Sequence, residues 1–260
     1  MSFLDIFILS FIEGLTEFLP ISSTGHLIIA SHLLKIESTF TTQFNVIIQF
    51  GAILAVVALY WKRFFPINYN FYLKIVIGFL PSAIIGLLVK DRIDQLLTSV
   101  SIVAWALLIG GIILIILDRN NSKNFDRQKN NPLHINDLSI KSCLIIGFFQ
   151  CIAFIPGVSR SAATIIGGLL LGLDKKNATE FSFFLALPTL AGATLIKTIK
   201  LYPTIESSQI LSLALGLILS FAFAIIAIRS FVALVSQQNG VFQWFGAYRI
   251  ILGGLILIFL

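Results

Sequence analysis

Long apolar runs alternate with short polar interruptions along this chain. Phe44–Trp61, Phe71–Val89, Val100–Leu117 and Ile210–Ile228 each approach the roughly 20 residues that a helix needs to cross a bilayer. Other apolar segments are shorter and break at a proline: Phe3–Leu19 and Ile21–Leu34 around Pro20, Ser142–Ile155 and Gly157–Leu171 around Pro156. Proline interrupts the helical hydrogen-bond ladder. These segments are therefore expected as half-helices, folded into two re-entrant hairpins with tips near the midplane. The expected fold is all-α, a polytopic membrane helical bundle.

The most polar stretch, Asp118–Lys141, divides a single transmembrane domain (1–260) into repeat 1, about 1–117, and repeat 2, about 142–260. Both halves place an acid or amide before an apolar turn, then Pro, then a Ser cluster, then an apolar helix. Downstream, Gln43-Phe44-Asn45 and Glu180-Phe181-Ser182 each open another long run, at an offset close to 137 residues. Broken half-helices at matching places in two repeats point to a functional site. With the central loop in the cytoplasm, twelve Lys and Arg collect inside (Lys62, Arg63, Lys74, Arg119, Lys123, Arg127, Lys129, Lys141, Lys175, Lys176, Arg229, Arg249). Five collect outside: Lys35, Lys90, Arg92, Lys197 and Lys200. That asymmetry supports the orientation. It makes the repeats inverted, with one hairpin dipping from each side.

Composition agrees. Of the 260 residues 57% are hydrophobic and 12% charged, and the mean hydropathy is +0.97. A soluble domain carries about 25% charged residues. The net charge of +6 is scattered over short loops, without the basic stripe that nucleic-acid binding needs. Cys143 and Cys151, eight apart, are too distant on one helix for a disulfide and read as packing residues. The first dozen residues carry Asp5 and no basic n-region, so they are expected to remain in the mature protein. His32 and His134 read as interfacial or loop residues.

Glu13 and Glu17 are four apart and share a helical face. Two carboxylates in an apolar hairpin are costly, and a pair is a candidate metal or proton site. Hard divalent cations, Mg²⁺ or Ca²⁺, take such oxygens. Ser22, Ser23 and Thr24 follow Pro20; capping accounts for one of them. It leaves His26, three residues after Ser23, placed to serve as a base for that hydroxyl or to protonate a leaving phosphate. In the second motif Gly157 allows close backbone approach to a ligand. Ser159, Ser161 and Thr164 offer hydroxyls, and Arg160 offers a planar fork suited to phosphate. Arg160 could instead bridge structurally to Glu13 or Glu17. Each motif opens a half-helix, and helix N-termini are anion sites. A carboxylate pair beside an anion site calls for a bridging cation, so acids, divalent ion and diphosphate belong together.

The segments Glu-Gly-Leu-Thr-Glu-Phe-Leu-Pro-Ile-Ser-Ser-Thr-Gly-His (13–26) and Pro-Gly-Val-Ser-Arg-Ser-Ala-Ala-Thr (156–164) resemble the two signature motifs of the bacterial undecaprenyl-diphosphatase family, also called bacitracin resistance proteins. The resemblance covers essentially the whole chain. It implies a phosphoric anhydride hydrolase that converts undecaprenyl diphosphate to undecaprenyl phosphate and phosphate. Such an enzyme recycles the lipid carrier for peptidoglycan and confers bacitracin resistance. The resemblance also implies a divalent cation, a multi-pass location in the plasma (inner) membrane, and a site opening to the outer face. Carried over by motif, Glu13, Glu17, Ser23, His26 and Arg160 are the expected catalytic set. Ser22, Thr24, Gly157, Ser159, Ser161 and Thr164 are expected to support the substrate.

The expected partners are the polyprenyl diphosphate lipid and membrane lipids. Serine and water both remain open as nucleophile. Gly110-Gly111, Gly167-Gly168 and Gly253-Gly254 permit close helix packing within a chain or in a homodimer. A lipid flippase is the alternative function, since inverted repeats and broken helices also occur in transporters. An acid-phosphatase-like mechanism is excluded, because no histidine follows Ser159-Arg160 to act as nucleophile.

Overall fold

The computed structural model describes residues 1–89, 99–122, 133–201 and 205–259. Lys90, Arg92, Lys123, Arg127 and Lys129 of the charge tally lie outside the described residues. The described residues are almost entirely helical. In chain order the helices are α1 Phe3–Thr16, α2 Ser23–Leu33, α3 Thr39–Leu59, α4 Trp61–Phe64, α5 Tyr69–Leu88, α6 Val100–Ser122, α7 Ile140–Cys151, α8 Arg160–Leu170, α9 Lys175–Leu201, α10 Ser207–Gln237 and α11 Val241–Phe259. The central polar segment is shorter than its composition suggests. Helix α6 runs through Asp118, and a short 3-10 turn, Ile135–Asp137, precedes α7.

Among the described residues six helices (α3, α5, α6, α9, α10 and α11) are long and apolar enough to cross a bilayer. Their outward faces are apolar and exposed, for example Ile84, Trp105, Ile109, Ile218, Ile226, Ile251 and Leu255. A soluble protein does not expose apolar surface on this scale; lipid covers it here. This is an all-α polytopic membrane bundle, as its apolar runs imply.

Helices α1 and α2 form one hairpin, α7 and α8 the other, and each arm is too short to span. Local chemistry sets their ends. Ser2 and Asp5 form a capping box that starts α1. Ser22 caps α2 by accepting from Gly25 N at 3.3 Å, and Ser159 caps α8 by accepting from Ala162 N at 3.1 Å. Helix α1 packs on α10, and α7 packs on α5. The first hairpin thus leans on the C-terminal half of the chain and the second on the N-terminal half.

Gly111 and Gly253 pack within the chain, whereas a methyl on Gly254 would meet nothing within 4 Å. A methyl on Gly111 would meet Gly246 O at 2.6 Å, and one on Gly253 would meet Ala104 O at 2.8 Å, so α6 and α11 lie backbone to backbone. Cys143 and Cys151 both lie on α7 as free thiols. At one end of the bundle a buried ion pair, Lys175 Nζ to Asp118 Oδ1 at 2.6 Å, ties α6 to α9. There too the buried ammonium of Lys74 donates to the carbonyls of Ile135 and Asn136. Arg249, which the charge pattern assigns to the cytoplasmic face, is instead fully buried in the bundle interior. Without it the sequence-based tally is eleven cations against five.

Candidate active site

The two hairpin turns meet. Leu19 O accepts from Ser161 Oγ at 2.7 Å and from Ser159 Oγ at 3.4 Å, across about 140 positions of sequence. The N-termini of α2 and α8 therefore open onto one cavity of about 190 Å³. Its lining includes Glu17, Ser22, Ser23, Thr24, Val158, Ser159 and Arg160, with Gln49, Gln150 and Thr189 on the same wall. Ser22 holds φ +72°, the left-handed region. For a serine this costs about 1–2 kcal/mol, and such strain gathers at functional sites.

Glu17 is the hub. Its Oε1 accepts from Arg160 Nη2 at 2.8 Å, and its Oε2 accepts from Ser23 Oγ. Both side chains of the ion pair are nearly buried. Arg160 also donates from Nη1 to Ser182 O at 3.0 Å and lies 5.8 Å over the Phe18 ring, which leaves its buried Nε without a hydrogen-bond partner. Ser182 Oγ accepts from Thr164 Oγ1 at 2.7 Å. Thr164 thus steadies the residue that steadies Arg160.

Glu13 lies one turn behind Glu17, fully buried, with neither carboxylate oxygen hydrogen-bonded. It does not line the cavity. Two unpartnered oxygens beside a second carboxylate fit a hard divalent cation, for which Glu13 and Glu17 would be the protein ligands. Among the described residues no group of three or more His, Cys, Asp or Glu side chains could hold a metal alone.

Two sequence-based expectations need correction. His26 is not paired with Ser23: its Nδ1 lies 2.7 Å from Ser22 O and its Nε2 lies 2.7 Å from Tyr248 Oη. A carbonyl can only accept, so in the neutral ring Nδ1 donates to Ser22 and Nε2 accepts from Tyr248. The ring also stacks on Tyr248 at 5.7 Å and stays out of the cavity wall. Ser23's proton therefore faces Glu17. Gly157, at φ +90°, packs against α6, and a methyl on it would meet Val103 O at 2.6 Å. Ser161 and Thr164 are buried and tied to Leu19, Ser182 and the α8 backbone, so they build the site without lining it.

Sequence reasoning gave no site role to Gln49, Gln150, Thr189, Ser182, Tyr248 or Arg249. Gln150 Nε2 donates to Ser82 Oγ at 2.6 Å and to Thr189 Oγ1 at 3.0 Å, and its Oε1 is buried without a partner. The available signal was each polar side chain standing alone in an apolar run, where such residues are functional by default.

A second cavity of about 350 Å³ shares Gln49, Phe154, Thr189 and Ala193 with the first. It continues between α3, α5 and α9 past Val46, Phe79, Gly86, Leu87 and Ile196. The result is a polar, cation-bearing chamber opening into an apolar groove.

A membrane bundle thus sets a serine and an arginine at two facing helix N-termini, with a carboxylate between them, in one intramembrane cavity. The bacitracin resistance protein BacA family model matches residues 6–255, and the chain belongs to that family. It is similar to proteins named undecaprenyl-diphosphatase. The one from Bdellovibrio bacteriovorus is 54% identical, over 100% of this chain and 97% of the relative. The one from Flavobacterium psychrophilum is 46% identical over 99% and 96%, and the one from Methanococcus aeolicus is 43% identical over 100% and 99%.

Proposed function

We propose that this chain hydrolyses undecaprenyl diphosphate to undecaprenyl phosphate and inorganic phosphate in the bacterial plasma membrane. It thereby returns the lipid carrier to peptidoglycan synthesis and confers bacitracin resistance. The carrying observation is Glu17, held by Ser23 on one oxygen and by Arg160 on the other, at the meeting point of two helix N-termini. Ser23, Glu17 and Arg160 line the polar cavity, and the apolar groove adjoining it suits a prenyl tail.

The diphosphate enters the chamber and competes with Glu17 for the Arg160 fork. Backbone N–H groups at the starts of α2 and α8 stabilise its negative charge. Glu17 takes the Ser23 proton as Oγ attacks the terminal phosphorus. The Oγ–P bond forms, the P–O bond to the prenyl phosphate breaks, and undecaprenyl phosphate leaves. Water then cleaves the phosphoserine, releasing phosphate and restoring the hydroxyl. A divalent cation held by Glu13 and Glu17 would neutralise phosphate charge beside the acids. His26, fixed by Ser22 and Tyr248, orients the α2 N-terminus.

The groove runs toward the Leu88 and Lys197 ends of α5 and α9, away from the Asp118–Lys175 pair. Under the charge asymmetry that end is the outer face, which supports a site opening outward. A hydroxyl hydrogen-bonded to a buried carboxylate is reactive chemistry that a flippase does not require. The deciding experiment is phosphate release in detergent, where no second compartment exists, for the wild type, Ser23→Ala and Arg160→Ala, with and without chelator. A phosphoserine trapped at position 23 supports this reading. Wild-type turnover in both variants removes it.

A further inference from the structure

Arg249 sits in mid-α11 and is fully buried, with no acidic side chain paired to it among the described residues. Its partners are backbone carbonyls: Pro20 at 3.1 Å from Nη1, Gly157 and Ala106 at 3.0 Å from Nη2, and Leu107 at 3.4 Å from Nε. Pro20 is the turn of the first hairpin and Gly157 the turn of the second. Ala106 and Leu107 belong to α6, against which α11 lies backbone to backbone. One guanidinium therefore joins both re-entrant turns to the α6–α11 pair.

We infer that Arg249 is a positioning residue: its fork clasps the two hairpin turns and sets the separation between Ser23 with Glu17 on one hairpin and Arg160 on the other. The inference rests on the phosphatase reading of that site. The carbonyls fix the geometry. Pro20 O lies three residues before Ser23 and three after Glu17, and Gly157 O lies three before Arg160. The serine contacts to Leu19 O tie the turns at a second point. Only a planar group with several diverging donors reaches four carbonyls on three separate segments. The adjacent Tyr248 holds His26, so α11 contacts the first hairpin twice in succession. Arg249 lines neither the cavity nor the groove, so it acts on the site through the turns it holds.

Two variants test the clasp in the full chain in detergent. Arg249→Lys keeps the charge but replaces the fork with a single ammonium. Gly110→Ala keeps the arginine but places a methyl in collision with its Nη2 and Cζ, pushing the fork aside. The readouts are kcat per folded molecule with undecaprenyl diphosphate, KM, and amide hydrogen exchange. A displacement of about 1 Å costs roughly a hundredfold in rate. The expected result is a kcat at least tenfold lower in both variants, with KM within threefold because the groove between α3, α5 and α9 is untouched. Exchange should accelerate in both turns together, around residues 19–25 and 155–162. A kcat within twofold of wild type, or faster exchange confined to α6 and α11, overturns the proposal. A wild-type chain that releases no phosphate refutes the phosphatase reading alone, because exchange in the turns still decides the clasp.

Discussion

Arg160 Nη2 lies 2.8 Å from Glu17 Oε1, although 143 positions separate the two residues. Both side chains are nearly buried, where breaking an ion pair by removing one partner costs about 3–5 kcal/mol. The pair also faces a cavity, so a dianionic ligand can take the carboxylate's place on the guanidinium. In the proposed reaction that exchange makes Arg160 the binding element.

This relationship predicts coupling between the two positions. Glu17→Ala removes the acceptor for both Ser23 and Arg160, and kcat should fall by about 10²–10⁴, the range for a lost general base. Arg160→Ala should lower kcat/KM to a similar extent. Because they act as a unit, the double variant should be scarcely worse than either single one. Steady-state phosphate release from all four proteins gives the cycle. Multiplicative losses would show that the two residues act independently.

Ser23 and His26 should separate. The Ser23 hydroxyl points at Glu17, while the His26 ring is bound to Ser22 O and Tyr248 Oη. Ser23→Ala is therefore expected to abolish measurable turnover. Tyr248→Phe and His26→Gln should lose about tenfold or less, in line with a net contribution of about 1–1.5 kcal/mol per hydrogen bond. Parallel kcat values test this. A His26→Gln loss as deep as that of Ser23→Ala would restore histidine as the proton acceptor.

Much of this arrangement is legible in the chain, and what is missing shares one cause. Pro20 and Pro156 disclose the broken helices because proline lacks the N–H that a ladder needs. Glu13, Glu17 and Arg160 stand out because ionised groups are rare in apolar surroundings. The partners of Arg249 are invisible in sequence, since every residue carries a carbonyl. Counting it by charge alone put it at a membrane face, whereas its hydrogen bonds hold it inside. His26 looked paired with Ser23 because helical spacing places them together. Its actual partner, Tyr248, comes from a helix 222 positions away.

Glu13 is expected to govern cation dependence rather than turnover itself. Its oxygens are unpartnered and set back from the cavity wall. Chelation should suppress activity, and added Mg²⁺ or Ca²⁺ should restore it. Glu13→Gln should raise the cation concentration for half-maximal activity at least about tenfold, because coordination to hard cations weakens sharply when a charged ligand becomes neutral. With saturating cation it should recover much of kcat. Titrating activity against cation for wild type and variant checks this. An unchanged half-saturation point would assign Glu13 a role other than ligation.

The apolar groove makes a prediction that separates head from tail. Gly192 lines it, and a methyl built on Gly192 meets nothing within 4 Å. Gly192→Leu therefore projects a side chain, from a Cβ that meets no neighbour, into space the lipid would occupy. Alanine at this position should be tolerated, since helix α9 runs through it and glycine there costs about 1 kcal/mol relative to alanine. Leucine should raise KM for undecaprenyl diphosphate, each displaced methylene contact forfeiting about 0.8 kcal/mol, while kcat stays near wild type because Ser23, Glu17 and Arg160 are untouched. For farnesyl diphosphate, whose short tail fills less of the groove, KM should change much less. Kinetics of both substrates on wild type, Gly192→Ala and Gly192→Leu decide the matter. Equal KM shifts for long and short tails would mean that the prenyl chain lies elsewhere on the lipid-facing surface.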